Sequence, residues 1–121
     1  MIILSLSAEI GNIKPTRQPE LNVMNLSDML KNSAKAVKLL KAVSNERRLL
    51  ILCHLLDGEL SVGELNQKLE LSQSALSQHL ALLRRHKLVK TRKAAQTVFY
   101  SLNSKEAEAL IALLHKLYCA D

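Results

Sequence analysis

The chain has 121 residues, enough for one domain with a modest core of its own. Apolar residues make up 48% of it, yet only Phe99, Tyr100 and Tyr118 are aromatic, so the core has to be built from Leu, Ile, Val and Ala. Two cysteines exclude a disulfide framework, no run approaches the ~20 apolar residues that span a bilayer, and the opening MIILSLSA lacks the basic start of a secretory leader. The expectation is a protein of the reducing cytoplasm, with no membrane partner and both cysteines made as thiols.

The net charge of +6 is unevenly placed. Between Glu70 and Glu106 there is no acidic residue, and that window holds Arg84, Arg85, Lys87, Lys90, Arg92, Lys93 and Lys105. The remaining ten basic and eleven acidic residues nearly cancel. Basicity confined to one segment is the footprint expected of a polyanion-binding surface, with an ordinary solvated basic face as the competing explanation.

In chain order, residues 1–24 contain Gly11, Pro15 and Pro19 without sustained periodicity and read as a flexible arm, leaving 25–121 as the folded domain. Met24, just before the first good helix, offers a second start position. The first helix is expected from about Ser27 to Val43, with Leu26, Leu30, Val37 and Leu40 on one face and Lys31, Lys35, Lys38 and Lys41 on the other. Asn45 has the character of an N-cap, followed by Glu46 in a first turn that favours an acid. The second helix carries Leu49, Leu52, Cys53 and Leu56 at helical spacing and stops at Asp57-Gly58.

Ser61 and Glu64 then form an S-x-x-E capping box, with Leu60 and Leu65 spaced as a hydrophobic staple. This third helix is short and ends near Glu70. Ser72 repeats the cap, and Leu71 is spaced to staple with Leu76. The fourth helix runs from about Gln73 to His86 over the stripe Ala75, Leu76, Leu80 and Leu83. Two short capped helices around a tight turn make a helix-turn-helix. The period then changes from 3.6 to 2: LVKTRK and QTVFYSL bracket Ala94-Ala95 as an antiparallel hairpin, though no Asn-Gly or Asp-Gly marks its turn. A last helix from about Ser104 carries Ala107, Leu110, Ile111, Leu114, Leu117 and Tyr118. The fold class is therefore mainly α with a small β-hairpin, a winged helix-turn-helix.

If the fourth helix buries its leucines, Gln73, Ser74, Ser77, Gln78 and Ala81 face outward. Amides and hydroxyls there hydrogen-bond base edges in the major groove of double-stranded DNA, and the small side chains permit close approach. His79 and the hairpin residue Gln96 are counted with this DNA-binding set. Arg84, Arg85, Lys90, Arg92 and Lys93 suit phosphate, which positions a protein and makes its affinity fall with salt. No phosphate-cradling glycine loop, no paired carboxylates and no nucleophile with a base and orienter is present, so neither catalysis nor a cofactor is expected. Cys53, within an aliphatic run, stays open between small core filler, metal ligand and reactive thiol. Arg47, Arg48 and His54 are its sequence neighbours and able to favour the thiolate.

The runs ERRLLILCHLL, ELSVGELNQKLELSQSALSQHLALLRRHKLV and TVFYSL resemble the ArsR/SmtB family of bacterial transcriptional repressors over roughly residues 25–120. The S-x-x-x-x-x-H-L-x-x-L pattern from Ser72 to Leu83 between those flanks carries the likeness. It implies a homodimer through the first and last helices, bound to an imperfect palindromic operator and released by an inducer. The sequence departs from the family where Lys87 replaces the glycine common before the wing, and it lacks a glycine at the wing tip. Of the family's metal sites, one is matched by Glu59-Leu60-Ser61-Val62-Gly63-Glu64-Leu65, where Ser61 and Gly63 stand in place of cysteines. The other is matched by Ser104, Glu106, Leu117 and Ala120. Neither keeps a metal-binding donor set, so no metal is expected; His115 and Cys119 are the remaining pair on one helical face. Within the family the chain is most similar to the branch of BigR, SqrR and HlyU. That likeness implies that Cys53 and Cys119 are a redox-sensing dithiol, linked through sulfur by a persulfide or other reactive sulfur species acting as inducer.

Overall fold

The computed structural model describes residues 19–119. Within them lie five helices and three strands: α1 (Pro19–Val43), α2 (Glu46–Leu55), β1 (Leu60–Ser61), α3 (Val62–Leu69), α4 (Gln73–Arg85), β2 (Val89–Ala94), β3 (Thr97–Leu102) and α5 (Lys105–Tyr118). Contacts divide the chain after Val37. The described part of the first unit is residues 19–37 of α1, and the unit from Lys38 onward holds the end of α1 and the other elements. α1 begins earlier than the hydrophobic pattern indicates and takes in residues 19–24, which the sequence reading left in the arm. Proline suits the first position of a helix, because its fixed φ is helical and its missing N–H would have no helical partner. The rest of the expected arm, residues 1–18, lies outside the described residues.

Local capping accounts for the helix boundaries. Asn45 accepts the Arg48 N–H at 3.0 Å. Ser61 and Glu64 form the reciprocal box, the Glu64 N–H donating to Ser61 Oγ at 3.1 Å and the Ser61 N–H to Glu64 Oε1 at 2.8 Å. Ser72 and Ser104 accept from Ala75 and Ala107 at 3.1 and 3.0 Å. α3 ends on Glu70 in the left-handed region (φ 52°), which turns the chain sharply toward Ser72. α4 closes with a Schellman motif: the Lys87 N–H reaches Arg84 O, the Leu88 N–H reaches Leu83 O, both at 2.9 Å, and Lys87 is left-handed (φ 62°). The position that the sequence comparison singled out for glycine therefore has the backbone that favours one.

The unit from Lys38 onward is held by an aliphatic core in which Ile51, Leu52, Leu65, Leu76, Leu83 and Ile111 are fully buried. Each such side chain contributes about 1.5–3 kcal/mol relative to leaving it in water. The buried face of α2 is centred on Ile51, Leu52 and Leu55, which puts Cys53 at its margin, half-buried. The stripe first read as Leu49, Leu52, Cys53 and Leu56 is therefore rotated. Arg48 ties α2 to the end of α1 through Nε–H on Ala42 O at 2.6 Å.

The sheet has three strands in the order β1-β3-β2, all antiparallel, rather than the two of a simple hairpin. β1 is only Leu60–Ser61, paired with Tyr100 and Phe99. The β2–β3 turn is Ala95-Gln96, one residue beyond Ala94-Ala95, because Ala94 pairs with Thr97. Ala95 is left-handed (φ 58°), as the first residue of a two-residue hairpin loop requires.

Apolar side chains also remain uncovered. On α1, Leu26 and Leu30 are 66% and 73% exposed; on α5, Leu117 and Tyr118 are 64% and 81% exposed. The α5 stripe is buried only at Ala107 and Ile111, and runs out to the surface toward the end of the helix.

Candidate nucleic-acid interface and thiol pair

α4 separates its residues by face. Leu76, Leu80 and Leu83 are buried, while Gln73, Ser74, Ser77, Gln78 and Ala81 are exposed, as the periodicity predicts. The exposed residues on the first two turns offer amide and hydroxyl groups free of the core. His79 does not share that face fully. It is half-buried, and burial, then Arg48, then Arg47 hold its imidazole below the usual pKa. Those surroundings disfavour the charged imidazolium that would pair with a phosphate.

Arg84 and Arg85 are exposed and, among the described residues, make no ion pair. They line an open groove of about 540 Å³ with Val62, Ser77, Leu80, Ala81 and Tyr100. Tyr100 was missed by sequence reasoning. Its β3 position, opposite both Leu60 and Thr91, brings it beside the exposed side of α4. The only signal for it was the aromatic pair Phe99-Tyr100 in the wing.

On the wing, Lys90, Lys93 and Gln96 are exposed. Arg92 differs from the other cations. Its Nε and Nη2 donate to the Glu59 carboxylate at 2.9 and 2.8 Å, and its guanidinium lies 4.6 Å from the centroid of Phe99. The hydrogen bond and charge of Arg92 lower the pKa of Glu59, and Glu59 raises that of Arg92.

The two cysteines come from opposite ends of the domain sequence. Cys53 is half-buried on α2, and Cys119 caps α5, exposed, with its N–H on His115 O at 2.8 Å. α2 packs directly against α5. The thiols are near enough that charge on Cys119 disfavours charge on Cys53, and burial, followed by this repulsion, pushes the Cys53 pKa up. Activation of Cys53 by Arg47, Arg48 and His54, raised by their closeness in sequence, is therefore not what the fold delivers. Burial outweighs them, and Arg48 is occupied with the Ala42 and Lys41 carbonyls. Among the described residues no three His, Cys, Asp or Glu side chains converge as a metal site; Ala120 lies outside them.

Comparison with known proteins agrees with this geometry. Residues 45–91 match the family model described as bacterial regulatory protein, arsR family. A transcriptional activator named HlyU from Vibrio cholerae is 74% identical over 79% of this chain and 89% of its own length. A biofilm growth-associated repressor from Xylella fastidiosa is 39% identical over 80% of this chain and 85% of its own. The solved structure of reduced HlyU from Vibrio cholerae superposes with a TM-score of 0.74 at 74% identity, covering 76% of this chain and 97% of that one. The Xylella fastidiosa repressor BigR superposes at 0.74 and 39% identity, covering 78% and 97%. The chain belongs to the arsR family of bacterial transcriptional regulators, in the branch that contains HlyU and BigR.

Proposed function

We propose that this regulator is a sequence-specific DNA-binding repressor whose operator affinity is lowered when Cys53 and Cys119 become joined through sulfur. The observation that carries the thiol half is the packing of α2, which bears Cys53, against α5, which ends on Cys119; the upward shift of the Cys53 pKa by burial and then by Cys119 accords with it. The DNA half rests on the uncovered Gln73, Ser74, Ser77 and Gln78 face of α4, flanked by Arg84, Arg85, Lys90 and Lys93.

The protein acts as a homodimer. The uncovered apolar stripes of α1 and α5 support this, since exposed leucines at such density mark an association surface. Two recognition helices related by a two-fold axis read half-sites about one helical turn apart, an imperfect palindrome. Their separation has to match the groove spacing, so a small tilt between subunits changes affinity at both half-sites together.

Cys119 is the exposed thiol and reacts first. Its thiolate takes the sulfane sulfur of a hydropersulfide R–S–SH, giving Cys119–S–SH and releasing RSH. The Cys53 thiolate then attacks the inner sulfur and displaces hydrosulfide, closing a disulfide. When both cysteines carry a persulfide, the same closure leaves a trisulfide and releases one H₂S. Burial, followed by the repulsion from Cys119, raises the pKa of Cys53 and keeps its thiol protonated, so Cys53 enters second, as the group that closes the link. The link ties α2, which abuts the reading unit, to α5, which carries part of the association surface. A coupling of about 1.4 kcal/mol between link and operator is enough for a tenfold loss of affinity.

The test is a gel-shift titration on a duplex that the reduced protein selects from a random-sequence pool, with intact-mass measurement of each sample. Persulfide-treated wild type should lose at least tenfold in affinity with both thiols blocked, while Cys53→Ser and Cys119→Ser keep the reduced affinity. Equal loss in all three proteins, or loss only on metal addition, contradicts the proposal.

A further inference from the structure

The acid-free window from 71 to 105 makes the wing look uniformly cationic in sequence, but the fold brings an acid into it from outside. Glu59, in the turn before β1, reaches 33 residues along the chain to Arg92 and engages it through two parallel hydrogen bonds of 2.8 and 2.9 Å. Phe99, the direct cross-strand partner of Arg92 and the neighbour of Ser61 across β1, lies beneath the guanidinium. A fork-shaped bidentate pair of this kind uses the donors that an arginine would otherwise offer to a phosphate, and in the same geometry. Lys90 and Lys93, on the same strand, have no ion-pair partner among the described residues.

We propose that Glu59 occupies Arg92 in place of a DNA phosphate, so that Arg92 braces the wing and Glu59 is a built-in competitor that holds the wing's DNA affinity down. This rests on the wing being a phosphate-contacting element, the reading advanced above. It removes Arg92 from the set of phosphate contacts expected from sequence and gives Glu59 a role that its position outside the basic window did not suggest. The two pKa shifts, down for Glu59 and up for Arg92, are those of a pair that stays ionised in the absence of DNA.

The measurement is the slope of log affinity against log salt on the selected duplex, for reduced wild type, Glu59→Gln, the double variant Glu59→Gln with Arg92→Gln, and Lys93→Ala. Each phosphate contact contributes about 0.9 to that slope. Glu59→Gln keeps the shape of the side chain but frees the arginine charge in each subunit of the dimer, and should steepen the slope by about 1.8 and tighten binding several-fold at low salt. The double variant should return to the wild-type slope, and Lys93→Ala, which removes one contact from each subunit, should flatten it by about 1.8. Thermal unfolding of each variant establishes that it is folded. If Lys93→Ala flattens the slope while Glu59→Gln leaves it unchanged or weakens binding, the competitor role is overturned and the wing contact stands. A double variant flatter than wild type likewise overturns it, because Arg92 then reaches phosphate while paired. If Lys93→Ala changes nothing, the wing does not engage DNA and both readings fall.

Discussion

The helix-turn-helix and the wing are adjacent in sequence and obey different rules. α3 and α4 are set by interactions within three or four residues: the Ser61–Glu64 box, the Ser72 cap, and leucines at helical spacing that drop into the core. The wing is set by pairings that cross long stretches of chain, β1 onto β3 and Glu59 onto Arg92, and by left-handed residues at Lys87 and Ala95 where no glycine is present. A short helix with its own caps has its boundaries set locally, while packing of its leucine stripe supplies its stability. A two-residue strand such as β1 exists only because β3 is already there to receive it. The limits of α4 are thus set locally, and the wing is the part of the proposed DNA face whose shape and charge are adjustable by single residues.

Four tests sharpen or break that contrast. The largest effect is expected in the core beneath the reading helix. Leu83→Ala, at a fully buried position, should cost about 2–5 kcal/mol in urea unfolding, whereas Val98→Ala, half-buried in β3, should cost about 1 kcal/mol. Equal costs would mean that the wing is as deeply built into the core as α4. Next, Ser61→Ala removes one half of the capping box and should destabilise by about 1 kcal/mol, read in the same assay. No loss would mean that β1 pairing, not the cap, starts α3.

The third effect is opposite in sign. Lys87→Gly relieves a left-handed backbone and should stabilise by up to about 1 kcal/mol, with the Schellman hydrogen bonds unchanged. Ala95→Gly should do the same at the wing tip. A loss of stability on both substitutions would show that the unfolded-state entropy of glycine outweighs the relief. The smallest effect is linked to pH. Because the folded pKa of Cys53 is raised, the unfolded chain gives up that proton first as pH increases. The contribution of Cys53 is therefore complete below the ordinary thiol pKa and is lost as pH rises through it toward the folded value. Urea midpoints of the reduced protein, followed from about pH 7 to about pH 10, should fall more steeply for wild type than for Cys53→Ser.

Most of the helical architecture was legible because caps and stripes are local. Asn45, Ser61, Ser72 and Ser104 each cap the helix that their spacing indicates. The outward residues of α4 followed from the same periodicity. What could not be seen were consequences of distant contacts. The pairing of Leu60-Ser61 with β3 has no signature in a two-residue strand. Capture of Arg92 by Glu59 depends on a fold that closes a 33-residue separation, and the rotation of α2 that moves Cys53 to the core margin depends on which neighbours it meets. His79 illustrates the same limit: its place in the helix pattern grouped it with the DNA-binding residues, and burial, then the neighbouring Arg48 and Arg47 on α2, set its character. The closeness of Cys53 and Cys119 was an expectation from family resemblance alone, since nothing in the spacing of two isolated cysteines brings them together.

The central claim is that these two sulfurs meet within one subunit and that joining them releases DNA. Peptide mapping of persulfide-treated protein under non-reducing conditions, on the fraction that has lost operator binding, tests it most directly. The account predicts one intrachain pair of peptides, containing Cys53 and Cys119, joined by two or more sulfur atoms and absent from the fraction still bound to DNA. A Cys119–Cys119 link between subunits, or unlinked thiols in protein that has left the operator, would contradict it.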